Sequence, residues 1–240
     1  EQRRIREEQL PFLMFPVPEM EIFDPEKHLT HLCYRPQESH SGPSGACPPL
    51  PLFIAARANA DKTLIPRPDD CYALWDKYHM LDNIRAHSEL VAGLTLALTH
   101  KANEKGLNVS PAAMFAAGLL HDLGKTYTIP HGGNHAQLGA AWVMHETRNA
   151  EIARCVLYHI HWPWETHFYT LNFFSIMAIE YADKRVRHDG YVLLEERFED
   201  LLLRYGKNDY ARKRIAMSHE QGKRIEGALS RFLGVNLHEY

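Results

Sequence analysis

The sequence predicts an all-α fold that follows an irregular, proline-rich N-terminal arm. From Asp70 onward, apolar residues recur at helical spacing and strand patterns are scarce. Eleven of the 14 prolines lie within residues 1–70, and residues 38–51 are rich in serine, glycine and proline. We therefore divide the chain into an arm, residues 1–69, and a helical domain, residues 70–240.

The helices of this domain are predicted in order from their apolar stripes and their caps. The stripe from Ile84 to Leu98 predicts a helix over residues 82–105. Ser110 followed by Pro111 predicts the start of the next helix, with serine as the N-cap, and this helix is expected to run on to Asp122. A further helix is predicted to begin after Asn134, which serves as its N-cap. The remaining helices are predicted over residues 149–160, 169–187, 193–205 and 208–233.

The composition excludes several classes of protein. Hydrophobic residues make up 45% and charged residues 24%, as in an ordinary globular chain. The longest apolar run, Ala112–Leu120, is far shorter than a bilayer span, and a net charge of −3 predicts no broad basic surface. We therefore expect neither a membrane nor a nucleic acid as partner. The four cysteines show no C-x-x-C spacing and are expected to be reduced thiols, which predicts a cytoplasmic protein.

Histidine is unusually frequent, at 16 of 240 residues, and several histidines fall on the apolar faces of predicted helices. A single histidine in such a place is more often a hydrogen-bonded core residue. Several together, with two inward carboxylates, favour a metal site, because a metal ion satisfies many buried polar groups at once. Imidazole and carboxylate ligands suit one or two divalent ions of Fe, Mn, Zn, Co or Ni. The inward-facing residues are His87, His121, Asp122, His135, His159 and Asp183.

Short sequence phrases surround three of these positions. After His87, residues 118–125 read Gly-Leu-Leu-His-Asp-Leu-Gly-Lys, and residues 181–185 read Tyr-Ala-Asp-Lys-Arg. This order of motifs resembles the HD-domain metal-dependent phosphohydrolase superfamily over roughly residues 80–205. The resemblance implies an HD-domain-like helical bundle.

The resemblance also implies ligands and a reaction. It implies that the first ion is held by His87, His121, Asp122 and Asp183, and that a second is held by His135 and His159. With Asp122 between two ions, a metal-activated hydroxide is expected to attack phosphorus. The expected substrate is a phosphate ester or anhydride of a small molecule, with a nucleotide as the expected class.

Three further side chains are expected to contact the substrate: Lys125, Arg185 and His161. Lys125 follows Asp122 by three residues, and the two are the expected catalytic residues because the ammonium can donate to a phosphate oxygen or a leaving group. The alternative for Lys125 is a charge that stabilises a helix C-terminus. Arg185 follows Asp183 by two residues, and a surface salt bridge is the alternative to a phosphate contact there.

Two other functions remain open at this point. An HD-fold di-iron oxygenase would use the same ligands, but the cations Lys125 and Arg185 favour hydrolysis. A metal- or nucleotide-sensing module without turnover is the third possibility, and the complete set of ligands argues against it. The sequence leaves open the identity of the metal, the number of ions and the oligomeric state.

Overall fold

A computed structural model describes residues 64–162, 171–187 and 190–239 of the chain. Residues 1–63, which make up most of the predicted arm, lie outside the described residues. The division into an arm and a domain therefore stays a prediction. The first described helix begins at Pro68, two residues before the expected start of the domain.

The described residues form a helical bundle with one very short β-hairpin, which confirms the all-α fold class. The hairpin strands are antiparallel, with Val186 opposite Tyr191 and Arg187 opposite Gly190. In chain order the elements are α1 (Pro68–Lys77), α2 (Asp82–Glu104), α3 (Pro111–Leu120), α4 (Lys125–His131), α5 (His135–Thr147), α6 (Ala150–Tyr158), α7 (Phe174–Lys184), β1 (Val186–Arg187), β2 (Gly190–Tyr191), α8 (Leu194–Tyr205) and α9 (Asp209–Leu233). One-turn 3₁₀ helices lie at Leu171–Phe173 and Leu237–Glu239.

The predicted helix starts are confirmed where a polar side chain caps the helix. Ser110 Oγ accepts a hydrogen bond from the backbone N–H of Ala113 at 3.3 Å. Asn134 Oδ1 accepts from the N–H groups of Ala136 and Gln137 at 3.0 and 3.2 Å. These bonds satisfy backbone donors that have no partner within the helix. Helices α6 and α9 are capped in the same way by Asn149 and Asn208.

Helices α3 and α7 end earlier than predicted, and α7 also begins at Phe174, after a 3₁₀ turn, instead of at residue 169. Helix α3 ends at Leu120 and residues 121–124 form a turn, after which the unpredicted helix α4 begins. A Cβ on Gly124 would lie only 2.5 Å from the backbone oxygen of His135, so the chain turns here in direct contact with the start of α5. Likewise α7 ends at Lys184, where the chain enters the hairpin instead of continuing to residue 187. At the end of α3, a tertiary contact therefore overrides the local helical pattern.

The core is built around α3 and α7, which are buried on nearly all sides. Helix α2 packs against both of them, α6 packs against α3 and α7, and α5 packs against α6. The approach of α2 to α3 is very close, because a Cβ on Gly118 would lie 2.4 Å from Ala92 Cα. The indole Nε1 of Trp75 donates to the backbone oxygen of Leu119 at 2.8 Å, which fixes α1 to the same helix. This packing holds the C-terminal ends of α3, α6 and α7 in place.

Two properties expected from composition can be checked in this region. No helix among residues 64–162, 171–187 and 190–239 combines the length and apolar character needed to cross a bilayer. Cys71 and Cys155 are buried free thiols, and burial raises the pKa of each to about 12. The other two cysteines, Cys33 and Cys47, lie outside the described residues.

Candidate metal centre

Five elements bring the six expected metal ligands to one place inside the bundle. Each ligand comes from the end of a helix, from the turn that follows it, or from a buried helix face. The six are His87 on α2, His121 and Asp122 in the turn after α3, His135 at the start of α5, His159 just after α6 and Asp183 near the end of α7.

A first group of possible ligands contains His87, His121 and Asp183, whose ligand atoms all lie within 4.8 Å of one another. His87 Nε2 is 3.0 Å from Asp183 Oδ1, and His121 Nε2 is 3.6 Å from the same oxygen. His121 is fully buried and His87 nearly so. Two imidazoles and a carboxylate at these separations form a set of donors suited to a divalent ion.

A second group contains His121, Asp122 and His159, again with ligand atoms within 4.8 Å of one another. His159 Nε2 lies 3.5 Å from Asp122 Oδ1, and His121 Nε2 lies 3.5 Å from Asp122 Oδ2. His135 Nε2 approaches Asp122 Oδ1 to 3.2 Å and so borders this second group. The two groups share His121, whose Nε2 has a single lone pair and can bind only one ion, whereas Asp122 has two oxygens with which it could contact two ions.

The ring orientation of two histidines is set by backbone carbonyls at helix ends. His121 Nδ1 lies 2.8 Å from the oxygen of Gly118, and His159 Nδ1 lies 2.7 Å from the oxygen of Val156. A carbonyl can only accept, so each Nδ1 carries the proton and each Nε2 presents a lone pair to the cluster. Both carbonyls belong to the last turn of their helix, where they have no partner within the helix. The helix ends thus serve as the supports that metal-binding histidines usually have.

The polar atoms at the centre of the cluster fit a cation. Within the described part of the chain, His121 Nε2 and Asp122 Oδ1 are buried and have no hydrogen-bond partner. Leaving such atoms unpaired costs free energy. A divalent ion between them would satisfy the lone pair and the carboxylate together, so the donor set fits the metal that the sequence predicts.

A sequence model of the HD domain matches residues 84–217, which is more than half of the chain. The chain belongs to the HD domain family. The matched segment contains all six residues of the cluster, from His87 to Asp183. The resemblance seen in the sequence is thereby confirmed. Comparison with curated proteins and with solved structures finds no match.

Membership in the HD domain family indicates a chemistry. The family consists in general of metal-dependent hydrolases of the phosphohydrolase type. In this HD domain, the His and Asp groups described above could hold a divalent metal. The prediction of a metal-dependent hydrolase family is therefore confirmed. Family membership alone does not identify the substrate.

Both carboxylates of the HD motif are held in their ionised form. Burial alone would raise the pKa of Asp122, but Lys125, His121 and two neighbouring histidines outweigh burial and hold it well below its usual range. The pKa of Asp183 is also held well below its usual range, because His121 and His87 outweigh the effect of burial. Two anionic groups therefore face the interior of the cluster.

The histidines of the HD cluster divide into two kinds. Burial lowers the pKa of His159 to about 4 and also lowers that of His87, despite the nearby carboxylates. These rings are neutral at pH 7, as metal ligands must be. For His121, burial acts in the same direction, but Asp122 and Asp183 outweigh it and raise the pKa. His121 is thus the ring whose pKa both carboxylates raise.

Lys125 lies at the edge of the cluster. Its Nζ is 2.6 Å from Asp122 Oδ2, and its side chain is 38% exposed. Partial burial would lower its pKa, but Asp122 and then Asp183 outweigh burial and raise it, so the ammonium stays charged. Lys125 is the first residue of α4, where a cation is unfavourable to the helix dipole. The alternative of a charge stabilising a helix C-terminus is therefore wrong.

The other two expected substrate contacts lie elsewhere. Arg185 is buried, and its guanidinium donates to the Tyr181 hydroxyl and to the backbone oxygens of Leu237 and Val192. These bonds tie α7 to the chain beyond α9 and the hairpin, so the placement of Arg185 does not support a phosphate contact. Burial, followed by Arg214 and Lys184, lowers the pKa of His161 to about 4. These neighbours place the His161 ring near α9, and its substrate contact stays a prediction.

Sequence reasoning missed three features of the HD site. Arg197 on α8 is close enough to Lys125 for its charge to act against the raised pKa of that lysine. Lys184 contacts the backbone of the His159 segment, as described below. Gly124 and Gly139 let the turn that carries Asp122 touch α5, since a Cβ on Gly124 would lie 2.7 Å from Gly139 N. The phrase Leu-Gly-Lys at residues 123–125 was the one available signal for Gly124, and its meaning depends on a partner 15 residues away.

Proposed function

We propose that this HD domain protein is a metal-dependent phosphohydrolase that cleaves a phosphate ester or anhydride of a small phosphorylated molecule, with a nucleotide as the substrate class. Family membership supports a hydrolase. The observation that carries the phosphate assignment is Lys125, a charged and partly exposed ammonium 2.6 Å from the buried Asp122. The nucleotide is supported by the sequence resemblance alone.

The residues of the chain prepare the site for an anionic substrate. His87, His121, His159, Asp122 and Asp183 would hold the metal, with His135 beside them. A divalent metal bound there supplies a Lewis acid that polarises water and phosphoryl oxygens near neutral pH. The ionised carboxylates of Asp122 and Asp183 supply the negative charge that would bind the metal. The carbonyls of Gly118 and Val156 keep two imidazoles in their orientation throughout.

Lys125 provides a positive charge, which none of the proposed metal ligands supplies to the substrate. Its ammonium has three N–H donors, of which Asp122 Oδ2 takes one. The remaining donors can bind a phosphoryl oxygen or protonate the oxygen of a leaving group. Because these donors would be directed at charge that develops in the transition state, they would stabilise it more than the bound substrate.

Arg197 adds a second cation near Lys125. Its side chain is 15% exposed, and its Nη1 lies 3.3 Å from Asp200 Oδ2. Its Nε is buried and lacks a hydrogen-bond partner among the residues that the structure describes. Its positive charge acts on Lys125 and adds to the positive potential at the edge of the site that an anionic substrate would contact. Lys125 and Arg197 together support a phosphorylated substrate.

The experiment that tests the proposal begins with protein purified without chelator and analysed for bound metal. The same protein is then tested for phosphate release from phosphate esters, nucleotides and dinucleoside polyphosphates with added Mn²⁺ or Fe²⁺. We expect metal-dependent phosphate release that is abolished in His121→Ala and Asp122→Ala. His145→Ala, which removes an exposed histidine of α5 outside the cluster, is the matched control and should keep activity.

Three outcomes would contradict the proposal. Consumption of O₂ without phosphate release would favour the di-iron oxygenase. Binding of metal and nucleotide without turnover of any substrate would favour a sensing module. Phosphate release by His121→Ala or Asp122→Ala at the wild-type rate, with wild-type metal content, would contradict the assignment of the site.

A further inference from the structure

Lys184 is a buried cation that the proposed reaction does not use. Only 4% of the residue is exposed, although it lies at the end of α7 directly after Asp183. Three oxygens surround its ammonium. Nζ donates to the backbone oxygens of His159 and Ile160 at 3.2 and 2.9 Å, and Glu180 Oε1 lies 3.0 Å away.

The two carbonyls belong to the segment that follows α6 and carries His159. Residues 159–162 leave the end of α6 without regular secondary structure, so helical hydrogen bonds do not fix the main chain there. The far end of this segment is also held from outside, because the side-chain amide of Gln221 accepts from Trp162 N at 3.2 Å and donates to Trp162 O at 2.9 Å. Side chains of α7 and α9 thus replace the backbone bonds that the segment lacks.

The position of Lys184 itself is well defined. Its stem packs near α9, since a Cβ on Gly222 would lie 3.6 Å from Lys184 Cδ. Glu180, one turn earlier on the same helix, is fully buried. A buried ion pair is seldom worth more to stability than apolar side chains of the same volume. What the pair provides here is a fixed ammonium at the two carbonyls.

We propose that Lys184 is a positioning residue for His159, holding the main chain at residues 159 and 160 so that the imidazole stays directed at Asp122. The proposal rests on the proposed metal-binding function of the cluster. Lys184 and Asp183 are neighbours on α7, so one turn of this helix both supplies a ligand of the first group and anchors a ligand of the second. Displacement of α7 would disturb both groups together.

The test removes the buried pair without leaving an unpaired charge. In E180M/K184M, two apolar side chains of similar length replace the ion pair, and the fold should survive by circular dichroism. Binding of Mn²⁺ alone is measured by equilibrium titration of the metal-free full chain. We expect the affinity that depends on His159 to fall about tenfold or more, which is the usual effect of losing a group that orients a metal ligand. E180Q keeps the lysine and should retain more of the affinity.

The matched control is K101M/E104M, which removes a Lys–Glu pair on the surface of α2 in the same way. It should bind Mn²⁺ like the wild type. In a His159→Ala background, adding E180M/K184M should produce no further loss, because the ligand that Lys184 positions is already absent. A further loss of similar size in that background would overturn the proposal and indicate a general effect on the fold.

Other outcomes separate the two proposals. If His159→Ala weakens Mn²⁺ binding and E180M/K184M does not, the positioning role is wrong and the metal site stands. If His159→Ala binds Mn²⁺ like the wild type, His159 is not a ligand and the positioning proposal is overturned, whereas the metal site of His87, His121 and Asp183 stands. Should E180M/K184M fail to fold, K184M alone is compared with the wild type in the same titration. Burial already raises the pKa of the Glu180 carboxyl, and loss of the Lys184 charge favours its neutral form further. An Mn²⁺ affinity of K184M equal to that of the wild type overturns the positioning role.

Discussion

Asp122 is the side chain that joins the metal ligands to the cationic edge of the site. One of its oxygens lies near His135 and His159, and the other lies near His121 and Lys125. Because the carboxylate is 1% exposed, solvent contributes little to its charge balance. Its neighbours hold its pKa well below the usual range, so it is an anion that is ready to bind a metal ion and to orient Lys125.

At the residue scale, Lys125→Met separates substrate chemistry from metal binding. The substitution keeps the bulk of the stem and removes the charge. If the ammonium steadies the phosphoryl group, kcat/KM for a phosphate substrate at saturating Mn²⁺ should fall roughly 10²-fold, or about 3 kcal/mol of transition-state stabilisation. The number of bound Mn²⁺ ions should not change, since an ammonium has no lone pair for a metal.

Steady-state kinetics and metal analysis of the same preparation check this prediction. Lys101→Met, on the surface of α2, serves as the control. Near-wild-type kinetics for Lys125→Met would remove the main reason for preferring hydrolysis over oxygen chemistry.

At the element scale, the contact between the turn after α3 and helix α5 sets the distance from Asp122 to His135. Gly124 has an ordinary φ of −78°, so alanine there meets no backbone strain. Its Cβ would nevertheless lie 2.5 Å from His135 O, which is a backbone atom that cannot rotate away. Gly124→Ala should therefore move the turn and α5 apart, weaken Mn²⁺ binding and lower the free energy of unfolding by roughly 1–3 kcal/mol.

The matched control is Gly227→Ala in α9, where the added Cβ would meet, among the described residues, only the end of the Arg231 side chain at 3.5 Å. That change should leave Mn²⁺ binding intact and stabilise the helix by roughly 0.5–1 kcal/mol. Calorimetric titration with Mn²⁺ and urea unfolding report the two quantities. Equal Mn²⁺ affinity in Gly124→Ala and the wild type would show that the turn adapts.

Helix α7 gives a pH dependence whose sign follows from Glu180. Burial raises the pKa of this carboxyl from 4.5 to about 7 in the folded chain. Between these values the unfolded chain has lost the proton and the folded chain keeps it, so the free energy of unfolding falls as pH rises. The side chain introduced by Glu180→Gln cannot titrate. Relative to that variant, the free energy of unfolding of the wild type should fall by roughly 2–4 kcal/mol between about pH 4.5 and pH 7.5.

Urea unfolding of the two metal-free proteins at a series of pH values measures this difference. A difference that stays constant with pH would mean that Glu180 titrates alike in both states. A difference that increases with pH would mean that pairing with Lys184 outweighs burial.

The sequence predicted the elements better than their ends. Caps such as Ser110 and Asn134 are local, because the side chain and the N–H groups that it accepts from lie within three residues of each other, and these predictions are confirmed. The end of α3 at Leu120 depends on contact between Gly124 and residues 135 and 139, which local periodicity does not contain. The hairpin after Lys184 was missed for a similar reason, since its strands have only two residues each.

For the site, helical phase predicted which histidines and aspartates face inward, and the structure brings all six together. The helical phase of Arg185 could not predict its hydrogen-bond acceptors, because the backbone oxygens of Val192 and Leu237 lie outside its own helix. Lys184 and Arg197 were missed because a lysine or arginine near a helix end is usually exposed. Their burial depends on how α7, α8 and α9 pack.

At the scale of the whole molecule, the ligands link segments that are far apart in the chain. His87 contacts Asp183 across 96 residues. An ion bound by the folded chain alone stabilises it, by about 2.7 kcal/mol at a free concentration 100 times Kd. Mn²⁺ at that excess should therefore raise Tm by roughly 5–10 °C for a domain of this size.

Differential scanning calorimetry with EDTA and with Mn²⁺ measures the shift. His121→Ala should reduce this shift in Tm, because His121 belongs to both candidate groups of ligands. His135→Ala should lower the metal content from close to two ions per chain toward one. A wild type that saturates at one ion under excess Mn²⁺ would leave His135 without a role as a ligand.

The order of the ligands along the chain has a consequence for synthesis. The group of His121, Asp122 and His159 is complete once residue 159 has been made, whereas the group of His87, His121 and Asp183 must wait for α7. Lys184 and Gln221, which hold the segment after α6, come later still. A chain emerging from the ribosome therefore carries three donors before it carries the anchors that orient them. The contacts that fix the His159 segment can therefore form only after α7 and α9 have been made.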